Sequence, residues 1–186
     1  SLKMLLNGKA GPLEPKQTTL VQVAYRSAEK FVALINDYLD YAKIDAGYLR
    51  LDLQNADLAA VALSSVEQSR IQAELKGQSV ALDSPAAIPA IIDATKVEQV
   101  LDNLISNAIK YTPDDGKISV NVAVRGDRAT IEVADTGSGI SASEIGGLFS
   151  QYHRVPGQQP SAIQGTGLGL LIIKEIVEAH GGTVRA

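Results

Sequence analysis

Three short motifs contain the residue types and spacings that could bind a charged ligand. Asn103–Tyr111 carries two amides and a lysine at intervals of three and four residues, Asp135–Ile140 joins a carboxylate to two glycines, and Gly165–Leu170 alternates three glycines with other residues. The sequence pattern places the first motif on a helix, the second at the end of a strand and the third at the start of a helix. Together the three motifs predict a pocket for ATP and Mg²⁺, although each alone would be weak evidence.

The helical motif supplies candidates for contacts to a metal and to phosphates. Asn103, Asn107 and Lys110 line up on the face opposite an apolar stripe, because residues three and four apart are neighbours on a helix. A neutral amide oxygen suits a Mg²⁺ that already holds phosphate oxygens, which makes Asn107 the candidate ligand. Lys110 would bring a point charge to the phosphates. An ordinary solvated polar face remains the alternative for this motif alone.

The second motif predicts selectivity for adenine. The Asp135 carboxylate can accept a hydrogen bond from the adenine amino group, and Gly137 and Gly139 let the backbone approach a flat ring without an intervening Cβ. The alternative is an ordinary Asx-type turn after a strand.

The third motif predicts phosphate binding at a helix N-terminus. Free N–H groups and the positive end of the helix dipole favour an anion there. The motif lacks the Gly-Lys-Ser/Thr of a Walker A loop, and its spacing and the loop before it do not fit a dinucleotide fingerprint. The stretch 156–164, rich in Gln, Pro, Ser and Gly, predicts a mobile lid over the bound phosphates.

Bulk properties exclude several other functions. The chain of 186 residues has no cysteine and two histidines, which argues against disulfides and zinc chemistry. A net charge of −4 without clustered Lys and Arg argues against nucleic-acid binding. No stretch reaches the roughly 20 apolar residues of a membrane span, and no signal peptide is evident. The expectation is a cytoplasmic fragment without membrane contact of its own, from a parent protein that is either soluble or membrane-anchored.

Residues 1–50 are predicted to be helical. A stripe from Leu20 to Ala42 repeats every three or four residues, Gly8 ends a short helix before it, and the helix containing the stripe stops near Gly47. The helix either packs on its own domain or joins a hairpin that pairs with a second chain in a bundle.

Residues 51–186 predict an α+β fold, a two-layer α/β sandwich. Asp57 is a candidate helix cap with Gly77 beyond the helix end, and short strands are expected near Ser79–Leu82 and Ile91–Ile92. Alternating apolar residues from Ile118 to Val133, with a turn at Gly126, predict a β-hairpin. A last helix is expected from about Gly167 to His180.

These motifs resemble those of the sensor histidine kinases, within the superfamily shared with gyrase, Hsp90 and MutL. Asn103–Thr112 is similar to the N box of that family, Asp135–Ile140 to its first glycine box and Gly165–Leu170 to its second, while Phe149–Val155 is similar to the box between them. Tyr25–Leu51 resembles the second helix of the dimerisation and phosphoacceptor hairpin. The resemblance implies a Bergerat-type ATP-binding fold at 51–186, a truncated hairpin at 1–50 that could form a dimeric four-helix bundle, and a last strand that is missing.

The resemblance also assigns roles to individual residues. It implies that Asn107 binds Mg²⁺, that Asn103 and Lys110 contact phosphates, and that Tyr111 contacts the nucleotide. Asp135 would bind adenine. The remaining implied nucleotide-binding residues form the base pocket or the phosphate side: Gly137, Gly139, Ile140, Arg154, Gly165, Thr166, Gly167, Leu168 and Gly169.

One feature departs from the family pattern. The family phosphorylates a histidine on the first hairpin helix, and neither His153 nor His180 matches it, so the acceptor is expected upstream of residue 1. The implied function is a protein histidine kinase that transfers the ATP γ-phosphate to that histidine, for relay to the receiver-domain aspartate of a response regulator. The implied assembly is a homodimer. The alternatives are a catalytically degenerate ATP-binding module and, with less support, an ATP hydrolase of the gyrase or Hsp90 branch.

Overall fold

The computed structural model describes residues 1–150 and 167–186, apart from the side chains of Lys30, Ala33, Asp37 and Asp45. Within those residues the chain forms helices and strands in mixed order. The helices are α1 (Leu2–Leu6), α2 (Pro15–Asp45), α3 (Leu58–Glu74), α4 (Ala94–Tyr111), α5 (Ala142–Ile145) and α6 (Gly169–Ala179). The strands are β1 (Gln54–Asp57), β2 (Ser79–Asp83), β3 (Pro89–Ile92), β4 (Lys117–Arg125) and β5 (Arg128–Asp135).

The long helix α2 begins and ends where its sequence predicts. The Glu14 N–H donates to Oε1 of Gln17 at 3.0 Å, and Pro15 occupies the first turn, where its missing N–H costs nothing. The left-handed φ of 70° at Gly47 ends the helix. Much of its apolar stripe is exposed in the single chain, including Leu20 and Phe31. Within the described residues, no helix combines the length and apolarity needed to cross a membrane.

The strands form two sheets. β1 pairs antiparallel with β3, and β2 runs parallel to β4, which pairs antiparallel with β5. The predicted hairpin is confirmed, with Val120 opposite Val133 and Gly126 in the turn at a φ of 66°. β1 is a strand that no pattern in the sequence predicts.

One core cluster joins the three-stranded sheet to α3 and α4. Val120 on β4 and Leu101 and Ile105 on α4 are fully buried, so the alternating strand residues meet the apolar face of the helix. The predicted cap of α3 is confirmed, because the Asp57 carboxylate accepts the Ala59 N–H at 3.0 Å. The mixed α+β architecture predicted from the sequence is therefore present.

A second cluster fixes α6. Ile172, Ile173 and Ile176 are buried against Val100 of α4, and Tyr41 from the end of α2 packs on the same cluster. α6 begins at Gly169, later than the predicted start near Gly167. The φ of 71° at Gly167 is outside the helical region, which explains the later start. The packing against α4 determines where the N-terminus of α6 lies.

Candidate functional site

α4 carries the first predicted motif on its polar face. The Asp93 side chain caps the helix by accepting the Lys96 N–H at 3.0 Å, and the apolar face is buried in the core. Asn103, Asn107 and Lys110 are half-buried on the same helix. The Asn103 amide nitrogen donates to the Gln99 carbonyl at 3.1 Å, whereas the Asn107 side chain makes no hydrogen bond to any described residue. Asn107 thus keeps its amide oxygen available for a ligand.

The N-terminal end of this polar face is occupied by α2. The Gln99 amide nitrogen donates to Oδ2 of Asp40 at 2.6 Å, and the Lys96 ammonium lies 3.7 Å from the other oxygen of that carboxylate. Gln99 lies one helical turn before Asn103 on the same face, and its side chain is engaged with Asp40. Asn103, Asn107 and Lys110 therefore form the part of the polar face to which a ligand could bind.

The N-terminus of α6 lies against Asn103. A Cβ added to Gly169 would be 3.2 Å from Oδ1 of Asn103, so glycine permits this close approach. The left-handed Gly167 and the buried Leu168 lead into the helix. Because the first N–H groups of a helix have no partner within it, this terminus can hold an anion. The described part of the third motif, from Gly167 to Leu170, thus lies beside Asn103 of the first motif.

The second motif meets the other end of α4. A Cβ on Gly137 would be 2.7 Å from the Tyr111 carbonyl oxygen. Oδ1 of Asp135 accepts the Gly137 N–H at 2.8 Å, which is the Asx-type turn that the sequence analysis kept as an alternative. Oδ2 makes no hydrogen bond to a described residue, so one carboxylate can form the turn and still accept a hydrogen bond from a ligand.

The remaining residues of the second motif follow the turn that Asp135 forms with Gly137. Gly139 has a φ of 68° and Ile140 is 44% exposed, which leaves an apolar side chain accessible next to the glycines. The Lys110 ammonium lies 4.8 Å from the centre of the Tyr111 ring, a distance typical of a cation–π contact.

The two glycine contacts define the length of the site. Gly169 touches α4 at Asn103 and Gly137 touches it at Tyr111, which are about 12 Å apart along the helix axis at its usual rise. An elongated ligand with a flat ring at the Asp135 end and negative charge at the α6 end fits that separation.

Some predicted site residues cannot be placed. Arg154, Gly165 and Thr166, together with the predicted lid at 156–164 and His153, lie outside the described residues. Among the residues that are described, no three or more His, Cys, Asp or Glu side chains cluster in a way that could hold a metal ion.

The structure also shows supporting residues that the sequence analysis missed. The Asp93 N–H donates to Nε2 of His180 at 3.1 Å, and Nδ1 of that ring lies 2.8 Å from the Ile176 carbonyl. Burial raises the pKa of Asp93, but the N–H groups of Asp52 and Lys96 and the charge of the Lys96 side chain outweigh it, so the pKa lies below its ordinary value. His180 thereby joins the end of α6 to the start of α4. A capping Asp was detectable in the sequence, whereas nothing there indicated its histidine partner.

Comparison with known proteins identifies the family. Residues 92–186 match the family described as histidine kinase-, DNA gyrase B-, and HSP90-like ATPase. The chain is 36% identical over 187 residues to the "Non-motile and phage-resistance protein" of Caulobacter vibrioides, covering 98% of this chain and 22% of that protein. It is 34% identical over 184 residues to the circadian input-output histidine kinase CikA of Synechococcus elongatus, covering 97% of this chain and 24% of that protein.

A solved structure shows a similarity of fold over nearly the whole chain. The crystal structure of full-length ShkA in complex with AMPPNP superposes with a TM-score of 0.79 at 27% identity, over 99% of this chain and 38% of that one. The chain thus spans less than a quarter of the curated relatives named above. On this evidence the chain belongs to the histidine kinase-, DNA gyrase B-, and HSP90-like ATPase family and carries the ATP-binding catalytic domain found in sensor histidine kinases.

Proposed function

We propose that this chain binds ATP along the polar face of α4, with adenine at Asp135 and the phosphates at the N-terminus of α6. The observation that carries the proposal is the pair of close contacts that bring Gly137 to Tyr111 and Gly169 to Asn103. The family's name and the AMPPNP complex of the ShkA structure support a nucleotide as the ligand.

The residues present fit a Mg²⁺ ion bound together with the nucleotide. Asn107 offers a neutral oxygen without a protein partner among the described residues, and hard oxygen ligands are what Mg²⁺ prefers. A site with one protein ligand relies on phosphate oxygens and water for the rest of its coordination, as is usual for this ion. When bound, Mg²⁺ would neutralise phosphate charge.

We propose that the parent protein is a protein histidine kinase. An imidazole nitrogen of an acceptor histidine forms a bond to the γ-phosphorus, the bond from that phosphorus to the bridging oxygen breaks, ADP leaves, and the imidazole proton passes to solvent. The residues of this chain contribute by holding the γ-phosphate in place, with Lys110 and the N–H groups of α6 stabilising its charge. The sensor histidine kinases among the relatives support this reaction.

The acceptor is proposed to be a histidine outside residues 1–186. Both ring nitrogens of His180 are engaged, one by the Asp93 N–H and the other at the Ile176 carbonyl, so this side chain serves packing. The far greater length of the relatives leaves room for an acceptor elsewhere in the parent protein.

The proposed partners follow from the same assignment. The phosphoryl group would pass to an aspartate in the receiver domain of a response regulator. The exposed apolar side chains of α2, among them Leu20, Phe31 and Tyr38, support a homodimer in which this helix contributes to a four-helix bundle.

Hydrolysis as the main activity is disfavoured by the carboxylates of α4. Glu98 accepts the amide N–H of Gln68 on α3 at 3.1 Å, and Asp102 lies beside Ser65 of the same helix. Burial raises the pKa of Asp102. Both carboxylates therefore face α3. A general base for water would be needed on the polar face of α4 that carries Asn103, and these carboxylates lie away from that face.

Calorimetric titration with ATP and with GTP, each with Mg²⁺, tests the nucleotide site. We expect ATP to bind and GTP not to bind, and we expect Asp135→Asn to weaken ATP binding by at least about tenfold, which corresponds to about 1.4 kcal/mol. Asp127→Asn, in the exposed hairpin turn, is the matched control and should bind ATP normally. Equal binding of ATP and GTP by the unaltered chain would contradict the adenine assignment.

Transfer to an acceptor supplied in trans tests the kinase assignment. The chain is incubated with γ-labelled ATP and a separate phosphoacceptor hairpin that carries a histidine. Acid-labile label on the hairpin, absent with Lys110→Met, is the expected result. ATP binding without any label on the hairpin would favour the degenerate binding module instead.

A further inference from the structure

Two side chains that follow the end of α3, those of Lys76 and Gln78, contact the C-terminal end of α4. α3 ends in a Schellman motif, in which the Gln78 N–H donates to the Ala73 carbonyl and the Gly77 N–H donates to the Glu74 carbonyl, both at 3.0 Å. Gly77 has the left-handed φ of 66° that this motif requires. The turn places Lys76 and Gln78 against the C-terminal end of α4.

Both side chains donate to carbonyl groups at that end. The Gln78 amide nitrogen lies 3.1 Å from the Ile109 oxygen, 2.7 Å from the Thr112 oxygen and 3.1 Å from the Pro113 oxygen. The Lys76 ammonium donates to the Ile109 oxygen at 2.8 Å. The last carbonyls of a helix have no partner within it, so these two residues supply the missing donors.

The burial of Gln78 indicates that its side chain serves as a hydrogen-bond donor through the amide nitrogen. Gln78 is 4% exposed and Thr112 is 2% exposed, yet Oε1 of Gln78 and the Thr112 hydroxyl have no hydrogen-bond partner among the described residues. A buried unpaired acceptor lowers stability. An apolar side chain at position 78 would avoid that cost, but it would leave the Thr112 carbonyl without its closest donor.

The segment that Lys76 and Gln78 hold, residues 109–113, continues to the adenine side of the site. The Asp115 N–H donates to the Lys76 carbonyl at 3.0 Å, which joins the loop after α4 to the same turn. At the start of β4, the Lys117 N–H donates to the Thr136 hydroxyl at 2.9 Å. Tyr111, within the held segment, is the residue whose carbonyl oxygen limits the space at Gly137. The position of the Asp135 turn thus depends on the end of α4.

We propose that Gln78, assisted by Lys76, is a positioning residue for the adenine side of the nucleotide site. It touches neither the proposed ligand nor Asp135; it fixes the Tyr111 carbonyl and the loop after α4, against which the Asp135 turn is packed. This inference rests on the proposed function, because it assumes that adenine binds at that turn.

The test compares two ligands and three variants. Gln78→Glu keeps the shape but places a second oxygen among three carbonyl oxygens, and Gln72→Glu, on the exposed surface of α3, is the matched control. Affinities for ATP and for inorganic triphosphate are measured with Mg²⁺. We expect Gln78→Glu to weaken ATP binding about tenfold and to leave triphosphate binding within about twofold of the unaltered chain. Gln72→Glu should change neither affinity.

Other results would overturn the inference. Unchanged ATP affinity in a folded Gln78→Glu chain would show that position 78 does not set the adenine side, and an equal loss for both ligands would show a general structural effect. If Gln78→Glu does not fold, Lys76→Met decides. We expect it to lower the ATP affinity about threefold and to leave the triphosphate affinity unchanged. The contrary result is the same change, or no change, in both affinities.

A ligand-free readout separates this inference from the proposed function. The backbone amide resonances of Tyr111 and Gly137 should shift in Gln78→Glu and should stay in place in Gln72→Glu. If the unaltered chain bound no ATP, the proposed function would fail while these shifts still reported on the positioning. Unmoved resonances at both residues would contradict the inference whatever the ATP result.

Discussion

Replacing Gly137 with alanine should weaken ATP binding because no space exists for the added methyl group. The new Cβ would lie 2.7 Å from the Tyr111 carbonyl oxygen and 2.6 Å from Oδ1 of Asp135. The first distance is about 0.7 Å short of ordinary contact at 3.4 Å. The carboxylate cannot turn away freely, because its Oδ1 holds the Gly137 N–H at 2.8 Å.

The size of the effect follows from how the clash is relieved. The free variant relaxes by moving the Asp135 carboxylate or the end of α4, and ATP binding must restore the original geometry. Overpacking of this kind costs about 1–3 kcal/mol, which corresponds to a loss of about 5- to 150-fold in affinity. Gly137 lies in the turn after β5, is half-buried and is outside the core clusters, so the free energy of unfolding should change much less than it would for a core substitution.

Calorimetry with ATP and Mg²⁺, together with thermal unfolding, measures both quantities. Gly146→Ala is the matched control, since that glycine has helical φ and ψ of −62° and −23° and a Cβ there meets nothing within 4 Å. The control should bind ATP as the unaltered chain does. A folded Gly137→Ala chain with an ATP affinity within about twofold of the control would refute this account of the site.

Two further predictions concern the metal and the dependence of stability on pH. Asn107→Ala should remove the gain in ATP affinity that Mg²⁺ gives over EDTA, whereas Asn55→Ala on exposed β1 should keep it; titrations with and without Mg²⁺ compare them. The Ile88 N–H donates to the Asp57 carboxylate and holds the pKa of Asp57 below its ordinary value. The stabilisation that the ionised Asp57 contributes is therefore present above the unfolded pKa near 4 and is lost as the pH falls through the folded pKa. Asp57→Asn should therefore melt earlier than the unaltered chain at pH 7, with the difference shrinking towards pH 3; an equal difference at both pH values would contradict this reasoning.

Local sequence patterns predicted much of the fold because these elements depend on interactions between residues close together in the sequence. Alternating apolar residues gave the hairpin of β4 and β5, and Gly126 marked its turn. Asp57 predicted the start of α3, and Gly77 its end. The three motifs predicted which segments meet, and the structure brings two of them against α4 through Gly137 and Gly169.

The missed features depend on contacts between residues far apart in the sequence. β1 consists of Gln54–Asp57, without apolar alternation, and exists because it pairs with β3. The role of Gln78 requires α4 carbonyls more than thirty residues away. Gln99 meets Asp40 across 59 residues, which no helical periodicity could indicate.

The most direct test of the nucleotide site records amide resonances of the labelled chain as ATP with Mg²⁺ is added. We expect the amides of Tyr111, Gly137 and Gly169 to shift together and to saturate at one shared affinity, while those of β1 stay in place. Shifts confined to one of the three segments, or three different affinities, would contradict the claim that these segments form one nucleotide site.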